Sequence, residues 1–298
     1  MAIDANNSLF LLAARARGVS FQQTLTLGRL GLFVPPPMLR TFFADHGVEP
    51  AGPPDFFAGE KHDFCEGFFR QLGAEEIASL DFSDYEGATY IHDMNVPAPD
   101  SLHERFDAVV DGGTMEHVFN FPTAIANAMQ MVRVGGHLLL DLPANNCTGH
   151  GFYQFSPELF FRLLQPAHGF AVERVCLAED YPFSRFHEVR DPAEVHARVT
   201  LVNAAPVHVF VQARKVGKFE GFTSFPAQAD YTHYWATHTN PTTHAPPAAG
   251  GAGWKGRLRH LAQRYAPRAY WRFSVRRNAD RNHRLGRLDN PDFYRPVD

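Results

Sequence analysis

Two neighbouring residues near the middle of the chain, Glu116 and His117, pair an acid with an imidazole directly after a buried strand. They belong to the stretch "FDAVVDGGTMEHVFN", which runs from an apolar segment through Asp111, Gly112 and Gly113. An imidazole changes charge near neutral pH and serves well as a general base. His117 is one candidate base. Another is His150, in "PANNCTGHGFYQFSPELF". Glu116 and His117 read equally well as a brace that fixes the start of the following helix. A third reading takes Asp111, Glu116 and His117 as a divalent-metal site, because oxygen and imidazole ligands gather there. Adjacent Glu and His on regular structure point apart, so no metal is expected. His233, His238 and His244 form no ligand spacing.

The elements that position these residues alternate between strand and helix. "TLTL" ends at Gly28, "EIASLDFS" carries a strand ending at Asp81, and "ATYIHDMN" reads as a strand ending at Asp93. "FDAVVDGG" ends at Asp111, and "HLLLDLP" is a further buried strand. Helices fit residues 38–46, delayed by "VPPP", residues 62–73, and "FPTAIANAMQMVRVGG" with Gly135 and Gly136 as its stop. "SPELFFRLL" has Ser156 as N-cap and Pro157 in its first turn. "FAVERVCLAE" and "PVHVFVQARK" are two late strands. This order predicts a doubly wound, mostly parallel α/β sheet with helices on both faces.

In such a sheet, ligands bind beyond the carboxyl ends of the strands. Three successive strand ends carry Asp81, Asp93 and Asp111. A carboxylate at one such end suits a ribose diol, and one a strand later suits an adenine amino group. Together they point to an adenosine-containing cofactor. The loop after "HLLLDLP" offers Asn145, Asn146, Tyr153 and Gln154 to a polyol or sugar, and its glycines shape a pocket.

These stretches, with "LGA…SLDFSDYEGATYIHDMN" and "VRVGGHLLL", resemble the class I methyltransferases that use S-adenosylmethionine, over roughly residues 20–215. The resemblance implies a Rossmann-like seven-stranded sheet whose last strand runs antiparallel. It implies S-adenosylmethionine as cofactor, with Asp81 at the ribose, Asp93 and Met94 at the adenine, and the segment from Asp111 and Gly112 to His117 beside the methyl group. The family's GxGxG loop is replaced by Gly28, Arg29, Leu30 and Gly31, with no acid before Gly28. Glycines there allow close backbone approach. Arg29 is the residue left to meet the cofactor carboxylate. The alternative is a non-catalytic binding or scaffold protein on the same fold.

Composition sets the remaining bounds. The chain has 298 residues, 45% of them hydrophobic, with 27 Phe and three widely spaced Cys. That fits a cytoplasmic protein without a disulfide framework. "LFLLAA" is too short to span a membrane. The sequence divides into a methyltransferase-like domain over residues 1–216, a Pro/Gly-rich linker over 217–253 and a basic, aromatic helical tail over 254–298. Twelve Lys or Arg face four Asp or Glu in that tail, while the rest of the chain is acidic. The tail reads as a helix packed on the acidic body or as a peripheral contact with an anionic membrane. The expected partner is a small molecule or glycan; no nucleic acid is expected.

Overall fold

The computed structural model describes residues 2–48, 64–222, 225–237 and 285–297, with scattered positions between 258 and 283. The chain divides into two compact units. One comprises residues 1–189, 205–226 and 296–298, and the other 190–204 and 227–295.

The first unit is built on a mixed sheet. Its strands in chain order are β1 (Ala2–Ile3), β2 (Gln23–Leu27), β3 (Gly31–Leu32), β4 (Glu76–Asp81) and β5 (Tyr90–Ile91). They continue with β6 (Phe106–Gly112), β7 (Val132–Asn145), β8 (Phe170–Glu179), β9 (His187–Val189) and β10 (Val207–Lys215). Seven of them lie in the order β5-β4-β2-β6-β7-β10-β8. The first five are mutually parallel, and β10 runs antiparallel to both neighbours. This is the arrangement of a class I methyltransferase-like fold. Beyond β8 the sheet adds β9, so its edge is longer than the seven strands expected.

The helices of this unit are α1 (Ala5–Ala16), α2 (Pro36–Asp45), α3 (Glu66–Gln71), α4 (Phe121–Met131) and α5 (Pro157–Leu163). One face of the sheet packs Ala108, Val110, Leu139 and Phe210 against Phe10 of α1, Phe43 of α2 and Phe68 of α3. Burying one large apolar side chain contributes about 1.5–3 kcal/mol. The alternate residues Val109, Leu138 and Leu140, on the other face, are buried as well. A strand covered on both faces must be apolar throughout, which is why "FDAVV" reads as a continuous run.

Several local expectations change. Helix α1 carries the "LFLLAA" run, and the Asp4 carboxylate caps it by accepting the Asn7 N–H at 2.7 Å. Prolines start α2 instead of delaying it: Pro36 and Pro37 fill its first turn, where a missing N–H costs nothing. Helix α3 is shorter than expected, and residues 62 and 63 lie outside the described residues. Strand β5 stops at Ile91, two residues before Asp93. Helix α4 ends at Met131, so "VRVGG" begins β7 and closes no helix. A Cβ on Gly136 would stand 2.6 Å from the Asp107 carbonyl, so the glycine lets β7 lie against β6. The buried Lys215 ammonium binds the carbonyls at the α4 terminus, at 3.1 Å from Met129 and 2.7 Å from Val132.

In the second unit, α6 (Pro192–Val195) and α7 (Ala229–Thr237) accompany an Arg198–Asp230 ion pair of 2.6 Å. Helix α7 occupies part of the segment expected to be linker; residues 238–253 lie outside the described residues, as does Trp254 of the tail. Leu258, Leu261 and Tyr265 are helical and exposed.

Candidate active site

From β2 the chain moves outward to β4 and β5, then returns to β6 on the other side of β2. The carboxyl ends of β2 and β6 therefore form the switch point of the sheet. Leu27 of β2 lies in register with Leu80 on one side and Asp111 on the other. Two of the expected acids, Asp81 and Asp111, thus flank the exit of β2.

They differ in environment. Asp81 is half-buried, and its Oδ1 accepts the Ser83 N–H at 3.3 Å. Asp111 is fully buried and spends both oxygens on the backbone, taking the Thr114 N–H at 2.7 Å and the Met115 N–H at 3.1 Å. Burial, and after it the charge of Glu116, pushes its pKa well up. Asp111 is thus the brace of the short 3-10 turn Met115–His117. Asp93 is held charged: Asn95 donates its backbone N–H at 2.8 Å and its amide at 2.7 Å to the Asp93 carboxylate, which lowers its pKa. Met94 is buried, with its sulfur 3.8 Å from the Asn127 amide of α4.

The "GRLG" segment is engaged by the protein itself. Gly28 has φ +75° and donates its N–H to Leu80 at 2.7 Å. Arg29 reaches Glu66 of α3 at 2.7 Å and the Glu86 carbonyl at 2.6 Å, and its guanidinium lies 4.0 Å over the Phe64 ring. Gly31 pairs with Ala2 of β1. A Cβ on Gly112 would meet the Ala2 carbonyl and the Leu30 side chain, each at 3.1 Å. The close approach expected at Gly112 is made by the N-terminal strand and Leu30.

Glu116 is the centre of the site. Its side chain is fully buried, and Oε1 lies 3.1 Å from His150 Nε2 and 3.7 Å from His117 Nε2. The two imidazoles are about half exposed, with ring centroids 5.0 Å apart. Among the described residues, Glu116 Oε2 is buried with no hydrogen-bond partner. Burial raises the Glu116 pKa to about 7, with the Asp141 charge adding to it. Burial and the neighbouring His150 lower that of His117. A residue expected to diverge from His117 therefore converges with it, because a 3-10 turn replaces regular structure there.

The loop after β7 completes the cluster. Gly151, at φ +70°, has no room for a Cβ, which would stand 2.8 Å from both Cγ and the carbonyl of Glu116. Phe152 donates its N–H to that carbonyl at 2.7 Å. The polar residues expected to hold substrate serve the loop. Asn146 binds the Ala205 carbonyl at 2.8 Å, Tyr153 the Phe119 carbonyl at 2.7 Å, and Gln154 accepts the Cys147 N–H at 2.7 Å. Asn145 ends β7 opposite Val207. Phe119 and Phe152, both exposed, meet edge to face at 6.2 Å beside the two histidines.

A polar group behind this cluster escaped the sequence reading. Asp141 of β7 accepts from His208 Nδ1 at 2.8 Å and from the Asn7 amide at 3.1 Å. Its signal was present: a single acid inside the apolar run "HLLLDLP" must be paired when buried.

No protein-family model and no curated protein matches the sequence. Some solved structures are similar in structure. One is an S-adenosylmethionine-dependent methyltransferase from Mesorhizobium loti, 15% identical, covering 71% of this chain and 98% of that one, with a TM-score of 0.39. Another is the 1,6-didemethyltoxoflavin-N1-methyltransferase of Burkholderia thailandensis, solved with S-adenosylhomocysteine. It is 14% identical, covers 70% and 79%, and has a TM-score of 0.35. A third is the branched-chain polyamine synthase of Thermus thermophilus, 10% identical, covering 76% and 58%, with a TM-score of 0.38. This chain's own strand order is that of the class I methyltransferase-like fold. No helix among the described residues is long and apolar enough to cross a membrane.

Proposed function

We propose that this chain is a cytoplasmic S-adenosylmethionine-dependent methyltransferase acting on a small polar acceptor with a hydroxyl, such as a sugar. The observation that carries the reading is the Glu116–His150 pair, an imidazole backed by a buried acid at the switch point of the sheet. Asp81 supports it as ribose ligand and Asp93 as the acceptor for an adenine amino group, with Arg29 near the exit of β2.

Methyl transfer to a hydroxyl needs in-line alignment and removal of one proton. Alignment supplies much of the rate. When Glu116 is ionised it accepts from His150 Nε2–H, which leaves Nδ1 as the basic nitrogen. His150 thereby overtakes His117 as the base, because His117 lies outside hydrogen-bonding distance of Glu116. Asp111 holds the turn that presents Glu116, and Gly151 lets the His150 loop close on it.

The test is calorimetric titration with S-adenosylhomocysteine, followed by transfer of a labelled methyl group to a panel of hydroxyl acceptors. Binding with transfer that His150→Ala abolishes supports the reading; no binding at millimolar ligand sinks it.

A second reading has its own observation. Leu30 and the Ala2 carbonyl occupy the space against Gly112, and Arg29 is tied to Glu66. A binding or scaffold protein on this fold would look so, and would leave S-adenosylhomocysteine unbound.

A further inference from the structure

We propose that Glu116, His117 and His150 bind one divalent first-row transition-metal ion, leaving open positions toward solvent. One ligand atom from each residue lies within 4.8 Å of the others. An ion held tetrahedrally at about 2.0–2.1 Å places its ligands roughly 3.4 Å apart. The Glu116 Oε1 separations of 3.1 Å to His150 and 3.7 Å to His117 bracket that value.

The surroundings fit a cation. Glu116 Oε2 is buried and has no hydrogen-bond partner among the described residues, so the carboxylate keeps bonding capacity that a cation held by both its oxygens would use. Such a group costs about 1–3 kcal/mol unless something satisfies it. Gly113 and Gly151 both have positive φ and both crowd this side chain: a Cβ on Gly113 would lie 3.1 Å from Oε1. The backbone is thus shaped around one carboxylate. Both imidazoles are half exposed, so an ion enters from solvent and keeps positions for water or a substrate oxygen.

Two imidazoles and one carboxylate suit zinc, cobalt, nickel, manganese or iron(II), and are too nitrogen-rich for magnesium or calcium. Within the methyl-transfer reading, on which this part alone rests, the ion would lower the pKa of a bound acceptor hydroxyl. That is the proton His150 would otherwise remove. Metal binding itself needs no cofactor, so the two ideas fail separately.

The experiment uses the untagged full-length chain, stripped with chelator and titrated with Co(II) and Zn(II). One equivalent should bind, and Co(II) should show visible absorption of a low-coordinate nitrogen and oxygen site. His117→Ala and His150→Ala, both at half-exposed positions, should each weaken binding by roughly tenfold or more. His196→Ala is the control, since His196 stacks on His233 at 4.6 Å in the other unit and forms the alternative imidazole pair. It should change nothing. No stoichiometric binding, or full binding by His150→Ala, would overturn the proposal. Titrating S-adenosylhomocysteine in chelator tests the cofactor reading independently.

Discussion

His150 Nε2 stands 3.1 Å from Glu116 Oε1, although 34 residues separate the two in the chain. The contact is made by the parallel pairing of β6 with β7, whose exits carry the turn with Glu116 and the loop with His150. Gly151 and the Phe152 N–H then lock loop to turn. The roles assigned to Glu116, His117 and His150 depend on that junction.

The junction has a direct test in Gly151→Ala. Its backbone sits at φ +70°, and the new Cβ would meet Glu116 backbone and side chain at 2.8 Å. Neither obstacle is the free end of a flexible chain. The substitution should destabilise the protein by more than about 1 kcal/mol in urea unfolding. A variant as stable as the parent would show that the loop does not close on Glu116.

Part of this was legible in the sequence. The apolar run "FDAVV" and its exit through Asp111 and two glycines marked a strand end at the ligand edge, and the acid and imidazoles stood out by type. Their pairing did not, because nothing local links residue 116 to residue 150. The same applies to Gly112. A glycine at a strand exit signals close approach, but not by what; here it is residue 2, brought in by β1 pairing with β3. Gly135 and Gly136 lie within β7, where a helix stop is expected, for a related reason. They followed a helical pattern, yet β-branched Val132 and Val134 had already turned the chain to strand.

Asp81 carries the cofactor assignment. If its carboxylate holds a ribose diol, Asp81→Ala loses charge-assisted hydrogen bonds of about 1.5–3 kcal/mol. Affinity for S-adenosylhomocysteine should fall by roughly tenfold to hundredfold, with thermal stability unchanged, since Asp81 is only half-buried. Unaltered affinity would move the ribose elsewhere.

The cluster behind the site predicts a pH-dependent stability. Burial disfavours the His208 imidazolium, but the Asp141 hydrogen bond and the charges of Asp141, Asp180 and Asp4 outweigh it, raising the pKa from 6.5 to about 9. A raised pKa means that the stabilisation is complete below pH 6.5 and is lost as pH rises through 9. The loss is on the order of 3 kcal/mol. Glu116, which also senses His208, is raised from 4.5 to about 7 and adds its own decline between those values. Unfolding free energies of the parent and of Asp141→Asn, compared from about pH 7.5 to 9.5, isolate the histidine, because the shifts of Asp111 and Lys215 are common to both. The decline should be markedly smaller in Asp141→Asn, where only the charges of Asp180 and Asp4 remain; equal profiles in the two proteins would refute the assignment.

Lys215 predicts a fold-level dependence of the same site. Its ammonium is 1% exposed and donates to Met129, Gln130 and Val132 carbonyls, with Glu104 at 3.4 Å. Those carbonyls end α4, the helix that begins just after the turn bearing Glu116 and His117. A cation there satisfies orphan acceptors and is attracted by the negative end of the helix dipole. Burial lowers the Lys215 pKa, and the Glu104 carboxylate opposes that shift. Lys215→Met keeps the aliphatic stem and removes the donors, leaving buried carbonyls unpaired at about 1–3 kcal/mol each. Urea denaturation should show a loss of a few kcal/mol in all, whereas Lys215→Arg, which retains charge and donors in a bulkier head, should lose less. Equal losses in the two variants would mean that shape, not hydrogen bonding, fixes the end of α4.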